Sequence, residues 1–174
     1  MSEPLVHVRA PGRTPYVLRE PRSGDLGWVV QAHGVLYNRE YGWGQRFEGL
    51  TAEVVAHFVR HFDPARERCW IAELEGTRVG SVFLVSHPTR PGVARLRLLL
   101  VDPAARGLGS GKRLVQECTQ FARAVGYHTI TLWTDTALQS ARAIYRSAGY
   151  RVVLTEPHDL FGEGRIAETW ELTL

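Results

Sequence analysis

Apolar residues in the first third of this chain recur mainly every three to four residues, the spacing that is typical of helices. The triplet Ser23-Gly-Asp25 is a candidate cap for a first helix, and Gly42-Trp-Gly44 predicts its end because glycine tolerates the left-handed backbone that closes a helix. Thr51 is a candidate cap for a second helix. The predicted elements are a strand over Tyr16–Glu20, a helix from Leu26 toward Tyr41, and a helix from Thr51 to about Phe62.

From Arg68 onward, runs of apolar residues bounded by glycine and proline predict strands, and two amphipathic stretches interrupt them. Gly76-Thr77 separates two such runs and predicts a hairpin. The predicted strands are Arg68–Glu75, Arg78–Ser86, Val93–Val101, His128–Asp135, Tyr150–His158 and Ile166–Leu174, with helices over Gly109–Gly126 and Ala137–Ala148. This order of elements predicts a mixed α/β (α+β) fold with antiparallel strands first and a parallel unit later.

Length and composition limit the class of protein. We expect the 174 residues to form a single domain over 1–174, with an extended segment at 1–15, which holds three prolines and a glycine. The net charge of +3 comes mostly from arginines spread along the chain, which argues against a nucleic-acid surface. No apolar run has the length of a membrane span and no signal-peptide core is present, so we expect no membrane partner and a cytoplasmic location.

Scattered histidines predict no metal site, and the two cysteines, Cys69 and Cys118, are expected in the core.

The segment that carries most of the chemistry follows the strand Val93–Val101. The chain passes through Asp102-Pro103 and a loop with glycines at 107, 109 and 111 before it enters an amphipathic helix. Glycines allow a ligand to approach the backbone amides, and the unpaired N–H groups of a helix start suit an anion. The spacing of these glycines fits neither the Walker phosphate loop nor the dinucleotide fingerprint.

This segment resembles the acyl-CoA signature of the GNAT superfamily of N-acyltransferases, Arg/Gln-x-x-Gly-x-Gly/Ala. Here the signature stands as Arg106-Gly-Leu-Gly109-Ser-Gly111, preceded by the family's Val-x-Pro at Val101-Asp-Pro103. The resemblance implies a central mixed sheet of about seven strands with about four helices, and acetyl-CoA as co-substrate. It also implies cofactor contacts from Leu99, Val101, Arg106, Gly107, Leu108, Gly109, Ser110, Gly111, Lys112 and Ser140.

A second segment, from Ala141 to Tyr150, is similar to the family motif Asn-x-x-Ala-x-x-x-Tyr-x-x-x-Gly-Phe. The resemblance implies that Tyr145 is the general acid that protonates the thiolate leaving group. A phenol suits that task because it stays neutral at working pH. Leu138 departs from the motif's Asn, and Gln139 or Ser140 is a candidate replacement. A core tyrosine on an apolar helix stripe is the alternative for Tyr145.

The strand before the glycine loop carries no carboxylate, so the sequence does not name a general base. Glu40, Glu73, Glu168 and His33 are candidates, and loss of the amine proton through ordered water is an alternative. Alternation along the strand predicts Arg95, Arg97 and Leu99 on one face and Leu96, Leu98 and Leu100 on the other. The two arginines either face solvent or an acidic partner, or hold a carboxylate of the acceptor.

In the GNAT family the first two helices and their connection wall the acceptor site, so Tyr41 and Trp43 are candidate substrate contacts. The segment His158–Arg165, with Phe161, is a second candidate wall. The resemblance therefore implies an N-acetyltransferase that acts by direct attack of a primary amine, from a small molecule that can carry a carboxylate. A CoA-binding module with little turnover and a protein N-acetyltransferase are the alternatives, and a homodimer is an open possibility.

Overall fold

Seven strands form one mixed sheet in the computed structural model, which describes residues 15–174. The strands are β1 Tyr16–Arg19, β2 Arg68–Leu74, β3 Thr77–Ser86, β4 Val93–Val101, β5 Thr129–Asp135, β6 Arg151–His158 and β7 Arg165–Thr173. The helices are α1 Asp25–Tyr41, α2 Gly44–His61, α3 Ser110–Ala124 and α4 Gln139–Ser147, with a 3-10 turn over Pro103–Ala105. The sheet order is β1-β2-β3-β4-β5-β7-β6, and the β4–β5 pair is parallel. The predicted fold class is confirmed.

Most boundaries lie within a few residues of the predicted ones, but the start of the second helix was predicted wrongly. α2 begins at Gly44 rather than at Thr51, and the Thr51 hydroxyl donates to the Phe47 carbonyl oxygen at 3.0 Å, one turn earlier in the same helix. A threonine can satisfy its hydroxyl inside a helix in this way as well as at a cap. No side chain caps α1, whose N-cap is Gly24. The extended segment expected at 1–15 lies outside the described residues except for Pro15.

The helices cover both faces of the sheet with two apolar clusters. α3 and α4 lie on one face, where Leu114 and Cys118 pack with sheet residues such as Leu84 and Trp170. α1 and α2 lie on the other face, where the buried residues are Val29, Val55, Phe58, Cys69, Ile71 and Phe83. Both cysteines are free and buried, as expected.

A bulge in β4 changes the direction of the side chains that follow it. Arg97 lies opposite Phe83 and Leu100 opposite Ser81, so Leu98 and Leu99 together face the single residue Val82. Leu98 takes a positive φ of 51°, and the Ser81 hydroxyl donates to its carbonyl oxygen at 3.0 Å. An inserted residue of this kind shifts the alternation by one position.

The predicted alternation was therefore wrong beyond Arg97. Leu98 packs on the α1–α2 side and Leu99 on the α3–α4 side, the reverse of the expectation, because the bulge lies between Arg97 and Leu99.

The strands β4 and β5 pair only at their starts, over Val93–Arg95 and Thr129–Thr131. Both strands continue beyond that pairing, β4 to Val101 and β5 to Asp135, and the sheet opens between them. A crevice at the carboxyl ends of diverging strands is the usual ligand position in open α/β sheets. Both cavities described below lie at this opening.

Over residues 15–174, we find no helix with the length and apolar character needed to cross a membrane.

Candidate active site

The glycine loop borders a cavity of about 540 Å³, here called the loop cavity. Its walls come from the last turns of α1, the end of β4, the loop itself and the start of α4. The predicted cofactor contacts that line it are Leu99, Val101, Arg106, Gly107, Gly109, Ser110, Gly111, Lys112 and Ser140. Leu108 does not line the cavity; its side chain is exposed and its amide donates to the Ala105 carbonyl oxygen at 3.3 Å.

The loop offers a row of backbone donors that the described part of the protein leaves unused. The amides of Gly107, Gly109, Ser110, Gly111 and Lys112 donate to no described residue. The loop reaches this shape because two of its glycines, at 107 and 109, have positive φ values of 80° and 78°. Free amides at a helix N-terminus favour anionic groups. The donor set therefore fits the pyrophosphate of a CoA molecule.

Close packing explains the third glycine of the loop. A Cβ atom on Gly111 would lie 2.7 Å from Cδ1 of Ile144 and 3.1 Å from Cγ2 of Val101. Only glycine lets α3 start this close to α4 and β4, and this approach brings the free amides to the wall of the loop cavity.

An ion pair crosses one edge of the loop cavity. Arg106 Nη2 lies 2.6 Å from Oε1 of Glu40 near the end of α1, and both residues line the cavity. The Arg106 side chain is half exposed, so the pair contributes little to stability. It removes Glu40 from the carboxylates that are free to act as a base.

A second cavity of about 300 Å³, here called the arginine cavity, lies between β4, β5 and the helices α1 and α2. Arg95 and Arg97 line it together with His33, Thr51, Thr134 and Asp135, and aromatic side chains cover much of the remaining wall. The two cavities share four lining residues, which are Tyr37, Leu99, Leu138 and Ala141. The loop cavity and the arginine cavity therefore meet where the strands β4 and β5 diverge.

Tyr145 lines the arginine cavity next to this junction. Its side chain is 5% exposed and its hydroxyl makes no hydrogen bond with any described residue, so the hydroxyl is available to a ligand. Burial, with Tyr37 and Cys118 nearby, raises the pKa of Tyr145 above its ordinary value. The phenol is therefore protonated at neutral pH and can donate a proton.

Arg95 and Arg97 enter the arginine cavity without a counter-ion. Neither guanidinium forms a hydrogen bond or an ion pair with a residue that the structure describes, whereas Arg106, Arg142 and Arg165 each form an ion pair with a carboxylate. Burial lowers the pKa of Arg95, and burial together with the neighbouring Arg95 lowers the pKa of Arg97 to about 10. Two half-buried cations without a described counter-ion therefore leave the wall of this cavity positively charged.

The carboxylate of Asp135 is the one acid among the described residues that line the arginine cavity, and it is already engaged. Arg165 donates to it through two nitrogens at 2.7 and 3.1 Å, and Nε2 of His158 lies 3.0 Å away. These partners outweigh the effect of burial and hold the pKa of Asp135 below its ordinary value. Asp135 therefore stays ionised but does not neutralise Arg95 and Arg97.

Of the four base candidates, three carboxylates are held by arginines. Glu40 pairs with Arg106, Glu73 with Arg19, and Glu168 accepts from Arg142 at 2.9 Å through each oxygen. Glu168 also accepts from the indole of Trp170 at 3.0 Å. His33 lines the arginine cavity and forms no ion pair within the described residues.

Aromatic residues from two segments form the outer wall of the arginine cavity. Trp43 contacts Phe161 of the β6–β7 connection at a ring-centroid distance of 4.3 Å, and both line this cavity. Both walls predicted from the sequence therefore meet at one cavity. Tyr41, predicted beside Trp43 as a substrate contact, lies instead on the loop cavity, because it comes one residue before the α1 C-cap and faces α4.

Sequence reasoning missed several residues of the site. Thr51, Trp133, Thr134 and Asp135 line the arginine cavity, and Tyr37 lies at the junction of both cavities. The hydroxyl of Tyr37 donates to the Leu99 carbonyl oxygen at 3.4 Å across the opening of the sheet. A signal for Thr134 and Asp135 was available, since polar residues at the carboxyl end of a parallel strand face such a crevice.

Among the described residues, no group of histidine, cysteine, aspartate and glutamate side chains has an arrangement that could hold a metal ion.

The chain is similar to known acetyltransferases in sequence and in fold. Residues 35–150 match the model of the acetyltransferase (GNAT) family. An uncharacterized N-acetyltransferase of Schizosaccharomyces pombe is 33% identical over 136 residues, which cover 77% of this chain and 78% of that protein. N-acetyltransferase 8 of Homo sapiens is 41% identical over 63% of this chain, and the match spans 50% of the human protein.

A solved structure supports the same assignment at the level of the fold. The protein yncA of Salmonella typhimurium, determined with its cofactor acetyl-CoA, matches with a TM-score of 0.71 and 19% sequence identity. The match covers 92% of this chain and 94% of the yncA chain. Because the family model covers more than half of the sequence and the N-acetyltransferase of Schizosaccharomyces pombe aligns with most of it, this chain belongs to the GNAT family and is an N-acetyltransferase.

Proposed function

We propose that this enzyme transfers the acetyl group of acetyl-CoA to the primary amine of a small molecule that carries a carboxylate. The observation that carries the proposal is the pair of half-buried guanidinium groups of Arg95 and Arg97, which line the arginine cavity without a partner among the described residues. A guanidinium binds a carboxylate through two parallel hydrogen bonds. The cavity volume of about 300 Å³ suits a small acceptor.

Acetyl-CoA supplies the acetyl group as a thioester. The free amides of Gly107 and of Gly109 to Lys112 would hold its pyrophosphate, and the end of β4 from Leu99 to Val101 would contact the pantetheine arm. Ser140 lines the same cavity near Leu138, where the family motif has Asn. The use of acetyl-CoA by the Salmonella typhimurium neighbour supports this choice of donor.

In the proposed reaction, the amine nitrogen attacks the thioester carbonyl carbon directly, and the bond between that carbon and sulfur breaks. Tyr145 donates its proton to the departing sulfur. Its position beside the junction of the two cavities, its free hydroxyl and its raised pKa support this role. Trp43 and Phe161 would cover the acceptor from the outer side.

The test is a thiol-release assay with acetyl-CoA and matched pairs of amines. Each pair consists of an amino acid and its carboxamide, and polyamines, aminoglycosides and peptides complete the panel. We expect kcat/KM to be higher for the amino acid than for its carboxamide by about 30-fold or more, because the carboxamide would leave the charges of Arg95 and Arg97 unpaired. Equal rates within a pair, or a preference for polyamines, would exclude the proposal that the acceptor carries a carboxylate. The single domain, the cytoplasmic location and the homodimer stay predictions.

A further inference from the structure

The imidazole of His33, which lines the arginine cavity, is held in a single tautomer. His33 is 2% exposed, and its Nδ1 lies 2.7 Å from the Val29 carbonyl oxygen one turn earlier in α1. A carbonyl oxygen only accepts hydrogen bonds, so Nδ1 carries the hydrogen and the neutral ring keeps a lone pair on Nε2. The ring also stacks on Tyr37 at a centroid distance of 5.6 Å, which fixes its plane.

The Nε2 atom of His33 has no hydrogen-bond partner in the part of the chain that is described. A buried polar atom without a hydrogen-bond partner costs free energy and calls for an explanation. Four buried side-chain atoms of the described residues share this property, and three of them belong to residues that line the arginine cavity. The three atoms are Nε2 of His33, Nε1 of Trp43 and Oγ1 of Thr134.

This set of atoms defines the polar groups that a ligand must bring. Trp43 Nε1 and the guanidinium groups of Arg95 and Arg97 only donate, so they match the oxygens of a carboxylate. Thr134 Oγ1 can donate or accept, whereas His33 Nε2 only accepts and therefore matches an N–H group. Glu40, Glu73 and Glu168 are each held by an arginine, so His33 is the one base candidate named from the sequence that has no ion pair within the described residues.

The imidazole ring of His33 is also neutral at the pH at which the enzyme would work. Burial lowers the pKa of His33 to about 4, against the smaller opposite effect of its hydrogen bond to Val29. The charged residues that line the same cavity are Arg95, Arg97 and Asp135. The two arginines disfavour a further positive charge on His33, and Asp135 is held by Arg165. At neutral pH, His33 therefore offers a free lone pair.

We propose that His33 is the proton acceptor of the reaction, with Nε2 bound to the amine of the acceptor molecule. As the N–C bond forms and the C–S bond breaks, the amine nitrogen loses one proton to Nε2, and Tyr145 gives one proton to the sulfur. After the product leaves, the imidazolium gives its proton back to the Tyr145 phenolate through water, so protons balance over the cycle. This inference rests on the proposed N-acetyl transfer but not on the carboxylate.

The first test compares His33→Gln with wild type in the thiol-release assay, using whichever amine turns over. Gln can accept a hydrogen bond but does not take up a proton, so we expect kcat to fall by about 10²- to 10⁴-fold. KM for the amine should change by about threefold or less, since Gln keeps an acceptor in place. His57→Gln is the control, because His57 is exposed on α2 and lines neither cavity. A kcat within fivefold of wild type in His33→Gln would overturn the proposal.

The second test observes the Nε2 atom directly and does not require turnover. In protein labelled with ¹⁵N-histidine, Nε2 of His33 should resonate as an unprotonated nitrogen, and saturation with the amine and desulfo-CoA should move it upfield by about 10 ppm. An unchanged resonance at saturation would overturn the proposal even if His33→Gln lost activity through misfolding. If carboxylate and carboxamide amines react equally but His33→Gln still loses kcat, the carboxylate proposal fails while this one stands.

Discussion

Arg97 is the residue at which stability and function are opposed most clearly. Its half-buried guanidinium lies beside Arg95 with no counter-ion in the described part of the chain, and its pKa is lowered to about 10. A factor of ten in a dissociation constant corresponds to about 1.4 kcal/mol, so the charged form of Arg97 costs the free enzyme about 2–4 kcal/mol. The cost is present at every pH below about 10 and decreases only as the pH rises through that value.

Replacing Arg97 with Met keeps an unbranched apolar stem in place of the arginine methylenes and removes the charge. We expect the free energy of unfolding of the free enzyme to rise by about 1–3 kcal/mol in urea denaturation at pH 7, because replacement of a buried uncompensated charge by an apolar group is stabilising. We expect kcat/KM for a carboxylate amine to fall by about 30- to 1,000-fold, the usual cost of removing one partner of a buried charge pair. The affinity for acetyl-CoA should not change.

The control is Arg123→Met, an exposed position on α3 that lines neither cavity, where we expect a change within about 0.5 kcal/mol. Arg97→Met would also narrow the difference in kcat/KM between an amino acid and its carboxamide. A loss of stability in Arg97→Met, or an undiminished preference for the carboxylate, would refute the reasoning, since both effects have the unpaired charge as their single cause.

Three further predictions concern the acid Tyr145, the glycine loop and the carboxylate of Asp135. Tyr145→Phe should lower kcat by about 10²- to 10⁴-fold in the thiol-release assay, whereas Tyr150→Phe, which removes a buried hydroxyl outside both cavities, should leave kcat unchanged. Gly111→Ala should lower stability by about 1–3 kcal/mol and weaken acetyl-CoA binding in calorimetry, because its Cβ would overpack α3 against α4; Gly49→Ala, with open space around its Cβ, should not destabilise. Asp135→Asn should destabilise by about 3–5 kcal/mol at pH 7. Because the pKa of Asp135 is lowered in the folded state, its stabilisation is complete above the unfolded value and is lost as the pH falls through the folded value, so thermal melts of wild type and variant should converge as the pH falls below the ordinary aspartate value; a gap that does not depend on pH would contradict this.

The elements that local sequence determines were predicted well. The glycine loop could be located because proline, arginine and three spaced glycines follow an apolar strand, and each of these residues acts on its own stretch of backbone. The start of α2 could not be located in the same way. Thr51 suits a helix cap as well as a helix interior, and only the hydrogen bond to Phe47 decides between them.

The bulge at Leu98 was invisible in the sequence for a physical reason. A run of Leu and Val predicts a regular strand. A positive φ is unfavourable for leucine, so nothing in the local sequence indicates a bulge at this position. The hydroxyl of Ser81, on the neighbouring strand, offsets part of that cost by donating to the Leu98 carbonyl oxygen. The bulge therefore depends on a contact between strands, and so does the position of Leu99 at the junction of the two cavities.

The chemistry of the candidate site depends on which charged side chains form ion pairs. These ion pairs join residues that are far apart in the chain. Glu40 and Arg106 are 66 positions apart, and Glu168 and Arg142 are 26 positions apart. Each of these pairs withdraws a carboxylate that the sequence offered as a base, while the fold gives Arg95 and Arg97 no partner at all among the described residues. The sequence could name the candidates for the base and for the anion site. Only the folded structure shows that the three carboxylates are paired, while Nε2 of His33 and the two arginines have no partner among the described residues.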